Sequence, residues 1–161
     1  MAQTDTLIPT TATCDSHPAA PTDPGTSNRS VGWWSFVFGV FSGLLMGLWS
    51  FGGPVPEPGW VGGYDDLARR FLRLGHIAFF GLGFLNLHLA RALPEIALGP
   101  AWRRTASRAM NFGNITLPAG LIWAAAWEPA KYVLPLPALS VFAALIVVAV
   151  GLTRRPAWSI R

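Results

Sequence analysis

Trp33 to Phe51 reads WWSFVFGVFSGLLMGLWSF. The stretch carries no charge, and the charge-free run already begins at Val31. A helix needs about 20 such residues to cross a hydrocarbon core of about 30 Å. Lipid offers the backbone no hydrogen bonds, so a spanning segment must satisfy its own, as a helix does. The alternation of a barrel strand is absent. Trp33, Trp34 and Trp49 lie at the two ends, where indole rings suit the membrane–water interface. Ser35, Gly39, Gly43 and Gly47 recur every four residues. That spacing puts four small residues on one helix face, where another helix can pack closely. The neighbour is either another helix of this chain or a second copy.

Three further charge-free stretches follow: Leu74 to Ala90, Ala109 to Trp127 and Tyr132 to Thr153. The fold expected is an all-α integral membrane four-helix bundle of up-down hairpins over residues 31–155, with spans near 32–52, 72–93, 107–127 and 134–153. Composition agrees. Of 161 residues, 52% are hydrophobic and 12% charged, with eight tryptophans, whereas a soluble domain has about 25% charged residues. Residues 1–30 are rich in Thr, Pro, Ser and Asp without hydrophobic period. They read as a disordered cytoplasmic tail, and residues 156–161 as a second, short one. The first apolar run starts too late and is too long for a cleaved signal peptide.

A basic isoelectric point near 10.2 does not imply nucleic acid here, because the cations flank the spans. Arg29, Arg91, Arg103, Arg104, Arg108, Arg154, Arg155 and Arg161 fall on one side. Arg69, Arg70, Arg73 and Lys131 fall on the other, diluted by Glu57, Asp65, Asp66 and Glu128. The excess of Lys and Arg places both termini in the cytoplasm, in a bacterial-type inner or plasma membrane. Cys14 is the only cysteine, so no internal disulfide can form. With His17 it supplies two metal ligands, short of the four of a closed zinc site.

Pro and Gly punctuate the connections. GGPVPEPGWVGGYDD, Gly52 to Asp66, is a turn-rich loop with Trp60 and Tyr64 at the membrane surface. Asp65 or Asp66 can cap the next helix, and Asp65–Arg69 and Asp66–Arg70 have ion-pair spacing. Pro118 should kink the third helix, and Pro135 and Pro137 suit the start of the fourth.

Polar residues inside spans need partners. His76 and His88 are twelve residues apart on one helix, or roughly 18 Å along its axis and about 120° around it. They cannot share one ligand. Facing residues of an antiparallel helix pair keep a nearly constant index sum. His88 with Asn111 and Asn86 with Asn114 satisfy that rule, so a polar ladder between the second and third helices is expected, with His88 as a structural stud. Met46 is placed at the depth of His76, and Met110 at that of His88. His/Met pairs hold haem or copper in other settings, which makes His76, His88, Met46 and Met110 candidate cofactor ligands. The other reading is that no cofactor binds and the methionines fill the core.

No carboxylate lies within a charge-free span, which argues against an ion-coupled relay. No phosphate loop and no catalytic spacing of Ser, His and Asp is present. The function expected is therefore a non-catalytic multi-pass protein, a small accessory, assembly or scaffold subunit of a larger membrane complex. Its partners would be the bilayer and either another membrane protein or further copies of itself. The alternative is a haem- or copper-binding electron-transfer subunit or cofactor-handling protein using His76 or His88.

Overall fold

The computed structural model describes residues 24–154, and they contain no strand. Four long helices carry the fold: α1 Pro24–Gly47, α2 Leu67–Ala92, α3 Pro100–Ala126 and α4 Pro135–Thr153. Short 3-10 turns at Ser50–Gly52, Leu93–Glu95 and Glu128–Val133 lead from one to the next. Three of the four lie in segments long and apolar enough to cross a membrane: Gly25–Gly47, Leu67–Glu95 and Glu128–Thr153. The third helix has the length but not the apolarity. Its first turns hold Arg103, Arg104 and Arg108, and its middle holds Asn111 and Asn114.

The first helix begins earlier than expected. Residues 24–30, read from composition as tail, form its opening turns. Pro24 can open a helix because its missing donor would be orphaned there anyway. Asn28, on the second turn, is fully buried. Residues 1–23 and 155–161 lie outside the described residues, and with them Cys14, His17 and most of the expected tail.

Sequence neighbours pack in order, α1 on α2, α2 on α3 and α3 on α4, while α1 also reaches α3. Close approaches explain why small residues sit where they do. A Cβ on Gly32 would stand 3.0 Å from the Gly83 carbonyl oxygen, so α1 and α2 touch backbone to backbone there. A Cβ on Gly113 would stand 3.0 Å from the Pro137 carbonyl oxygen and collide with Val141, so α4 crosses α3 at that notch. The stripe of the first helix faces inward: Ser35 and Gly39 are buried, and Gly39 and Gly43 receive the rings of Phe80 and His76. Gly47, the last of the four, has nothing within contact distance. The outward faces are apolar. Trp34, Phe38, Phe41 and Leu44 on α1, and Leu139 and Phe142 on α4, are each at least half exposed. Pro118 is buried inside α3, which continues through it to Ala126.

Candidate functional site

The two ends of the α1–α2–α3 bundle differ in chemistry. At the end where α1 starts, asparagines close on one another. The Asn28 amide donates to Asn86 Oδ1 and, at 3.1 Å, to Asn111 Oδ1. Ser107 Oγ donates to Asn28 Oδ1. Asn86 Nδ2 donates to Asn111 Oδ1 at 3.0 Å, and Asn111 Nδ2 donates to Ser27 Oγ at 3.0 Å. One level deeper, Ser35 Oγ donates to Asn114 Oδ1, and Asn114 Nδ2 donates to the Leu82 carbonyl at 3.2 Å. Asn28, Asn86 and Asn114 are wholly buried. Unpaired, such amides are costly; paired across helices, each bond contributes about 0.6–2 kcal/mol in an apolar setting.

The expected bond between His88 and Asn111 does not form. His88 is exposed, and Asn86 takes its place opposite Asn111. Asn114 meets Leu82 rather than Asn86. The α2–α3 register is thus offset by two residues at Asn111 and by four at Asn114. Two residues turn a helix by roughly 200°, so inward Asn86 requires outward His88. Met110 is fully buried in the apolar core with Leu89, Leu93 and Val141. It packs as core, while His88 faces out.

At the other end, His76 of α2 lines a cavity of about 500 Å³, open to the exterior, between α1, α2 and the loop that joins them. A Cβ on Gly43 would lie 2.8 Å from His76 Cε1, so only glycine leaves room for the ring there. Phe80 meets the imidazole edge-on, with centroids 5.3 Å apart. Ser42 Oγ lies 3.0 Å from His76 Nδ1 and donates to the Gly39 carbonyl at 2.8 Å. A hydroxyl has one proton. Which of Ser42 and His76 donates across the 3.0 Å contact follows the imidazole tautomer. No buried side-chain nitrogen or oxygen among the described residues lacks a partner.

Met46 lines the same cavity and packs against Val61, Leu72 and Ala125. It lies about one turn nearer the loop than His76, because Ser42 and Gly43 occupy the level assigned to Met46 from sequence. The cavity mouth is charged. Arg69 pairs with Glu57 at 2.9 Å. The Arg73 guanidinium lies 4.2 Å from the Tyr64 ring centroid and donates to the Tyr64 carbonyl at 3.0 Å. Among the described residues Arg73 has no carboxylate partner. The ion pairs read from helical spacing are replaced: Arg70 meets Asp65 at a loose 3.9 Å, and Asp66 accepts from the Gly63 amide at 2.6 Å. Loop residues were free to fold back, so proximity overrode i,i+4 spacing.

Sequence reading missed Asn28, Ser42 and Ser107. Asn28 continues the small-residue face of α1 through Gly32 to Ser35 and Gly39, and that spacing was its signal. Ser42 lies one residue before Gly43 and had no signal apart from its contact with His76. No family model, curated protein or solved structure was found to match this chain.

Proposed function

We propose that the chain is a non-catalytic, multi-pass integral membrane protein with four spans, serving as a small accessory, assembly or scaffold subunit of a membrane complex. One observation carries this reading: polarity is inverted. Amides fill the interior of the α1–α2–α3 contact, while large apolar side chains cover the outside of α1 and α4. Such a surface is costly in water and suits lipid or an apolar protein partner. The third helix, too polar on its own, is carried by the bonds of Asn111 and Asn114 to its neighbours. Both termini are assigned to the cytoplasm by the distribution of arginines. The native Cys14, the only cysteine, tests that orientation. An impermeant thiol reagent should leave it unlabelled in intact cells and label it after permeabilisation. Labelling in intact cells overturns the orientation, and extraction from the membrane by alkaline carbonate overturns the integral assignment.

A second reading, cofactor handling, is favoured by one observation. His76 and Met46 line a common cavity, which the His88 and Met110 pair does not.

A further inference from the structure

We propose that the cavity between α1, α2 and their loop binds a phosphate-bearing anion, with the Arg73 guanidinium as its main contact. The proposal goes beyond the accessory-subunit reading. It is independent of the cofactor-handling one, because it asks nothing of the His76 imidazole or the Met46 thioether.

The charge of the lining selects the sign of the guest. Arg69, Arg73 and Glu57 line the space. Glu57 is the one carboxylate of that lining among the described residues, and Arg69 neutralises it at 2.9 Å. Asp65 and Asp66 stand outside the lining. Asp65 faces Arg70 at 3.9 Å, and Asp66 accepts from the Gly63 amide at 2.6 Å. The charge of Arg73 is therefore left without a carboxylate, on a side chain that is only partly exposed. Attraction between charges is stronger there than in bulk water. A cation would be repelled, and an anion is drawn in.

Arg73 is also held in place. Its guanidinium lies 4.2 Å from the Tyr64 ring centroid and spends one N–H on the Tyr64 carbonyl at 3.0 Å. A planar fork fixed in this way loses little freedom on binding. Its remaining N–H groups match the oxygens of a phosphate or a carboxylate. The neighbours favour phosphate. Trp49 and Ser50 line the same space, bringing an indole N–H and a hydroxyl. The fork alone can satisfy a carboxylate, whereas a phosphate has further oxygens for these donors. At about 500 Å³, the cavity falls within the range of roughly 300–1,000 Å³ usual for small-molecule sites. It has room for an ester group beside the phosphate.

Two sources carry this chemistry, a soluble phosphate and a phospholipid headgroup. The second follows from the membrane reading, which sets the α1–α2 loop at the level of the headgroups.

The test is calorimetric titration of the detergent-purified, delipidated full chain. Sodium phosphate is compared with sodium acetate at equal ionic strength, and phosphatidylglycerol with diacylglycerol in mixed micelles. Saturable binding at one site per chain is expected for phosphate, for phosphatidylglycerol or for both, and not for acetate or diacylglycerol. Arg73→Gln should weaken it by about tenfold, the loss of one charge-assisted bond. Because Arg73 also ties down Tyr64, a second variant leaves every charge in place. Gly47 lines the cavity, and a Cβ there meets nothing within 4 Å. Gly47→Leu should therefore fill the space without collision, abolish binding and leave the thermal midpoint of the free chain unchanged. Arg70→Gln removes the same charge outside the lining and should bind as the unaltered chain does. Phosphatidylglycerol binding without phosphate binding assigns the anion to a lipid headgroup. Phosphate binding without phosphatidylglycerol binding assigns it to a soluble ester, and binding of both shows that the phosphate itself is recognised. Affinity unchanged by Arg73→Gln or by Gly47→Leu overturns the site. So does a loss in Arg70→Gln equal to that in Arg73→Gln. Acetate bound as tightly as phosphate overturns the ligand class, and no binding of either phosphate probe overturns the proposal. The membrane assignment stands or falls separately, by carbonate extraction.

Discussion

The bundle is closed at one end and open at the other. Where α1 starts, Asn28, Asn86, Ser107 and Asn111 answer one another, and each buried amide finds a partner. Where α1 ends, His76 and Arg73 line an open cavity, and among the described residues Arg73 has no carboxylate partner. Both ends use polar groups on α1 and α2, so composition does not separate them. Satisfaction does. A fully paired network fixes the packing of helices, and polar groups that line an open cavity are accessible from outside it.

Breaking the closed end should give the largest effect. Asn28→Leu conserves size and removes the amide that joins three helices. Asn86, Asn111 and Ser107 each lose a partner, at about 1–3 kcal/mol for a buried group left unpaired. A total loss of about 3 kcal/mol is expected, read from the thermal or denaturant midpoint in detergent. Stability within error of the unaltered chain would show that this end does not lock the bundle.

The open end should respond differently. Gly43→Ala introduces a Cβ 2.8 Å from His76 Cε1, so the imidazole must move. Overpacking of this kind costs about 1–3 kcal/mol, and the lower part is expected because the ring can shift into the cavity. The comparison is sharpened by measuring the midpoints of both variants in one detergent. Gly43→Ala should cost less stability than Asn28→Leu, because the ring can move while the buried amides cannot find new partners.

How much of this was legible in the sequence follows from what each feature depends on. The helices were legible because charge-free length is a local property: all four expected spans overlap α-helices. The start of α1 was not, because GTSNRS is polar by composition. Its helical state is supported by partners 58 to 83 residues away. The inward face of Ser35, Gly39 and Gly43 was legible from four-residue spacing, but spacing could not show that rings, rather than backbone, fill the notches at Gly39 and Gly43. Depth was legible to about one turn and rotation was not. An index sum constrains which levels face each other, and a shift of two residues reverses the side presented. That ambiguity exchanged His88 for Asn86 and left Met110 in the core.

The smallest effect is expected at His88, where the sequence predicts an interhelical bond. His88 and Asn86 are two residues apart on α2, yet Asn86 is fully buried and His88 is exposed. His88→Leu therefore removes no interhelical bond and places an apolar side chain on a surface already rich in them. Exposed substitutions away from caps and networks usually stay within about 0.5 kcal/mol, and in lipid the change should be neutral or slightly stabilising. Asn86→Leu, its control, strips partners from Asn28 and Asn111 and should cost about 2 kcal/mol. Measuring the two midpoints in one detergent tests the rotation of α2 directly. If His88→Leu proves the more damaging, α2 is turned by roughly half a revolution from the orientation described. The asparagine network would then be the wrong account of the closed end.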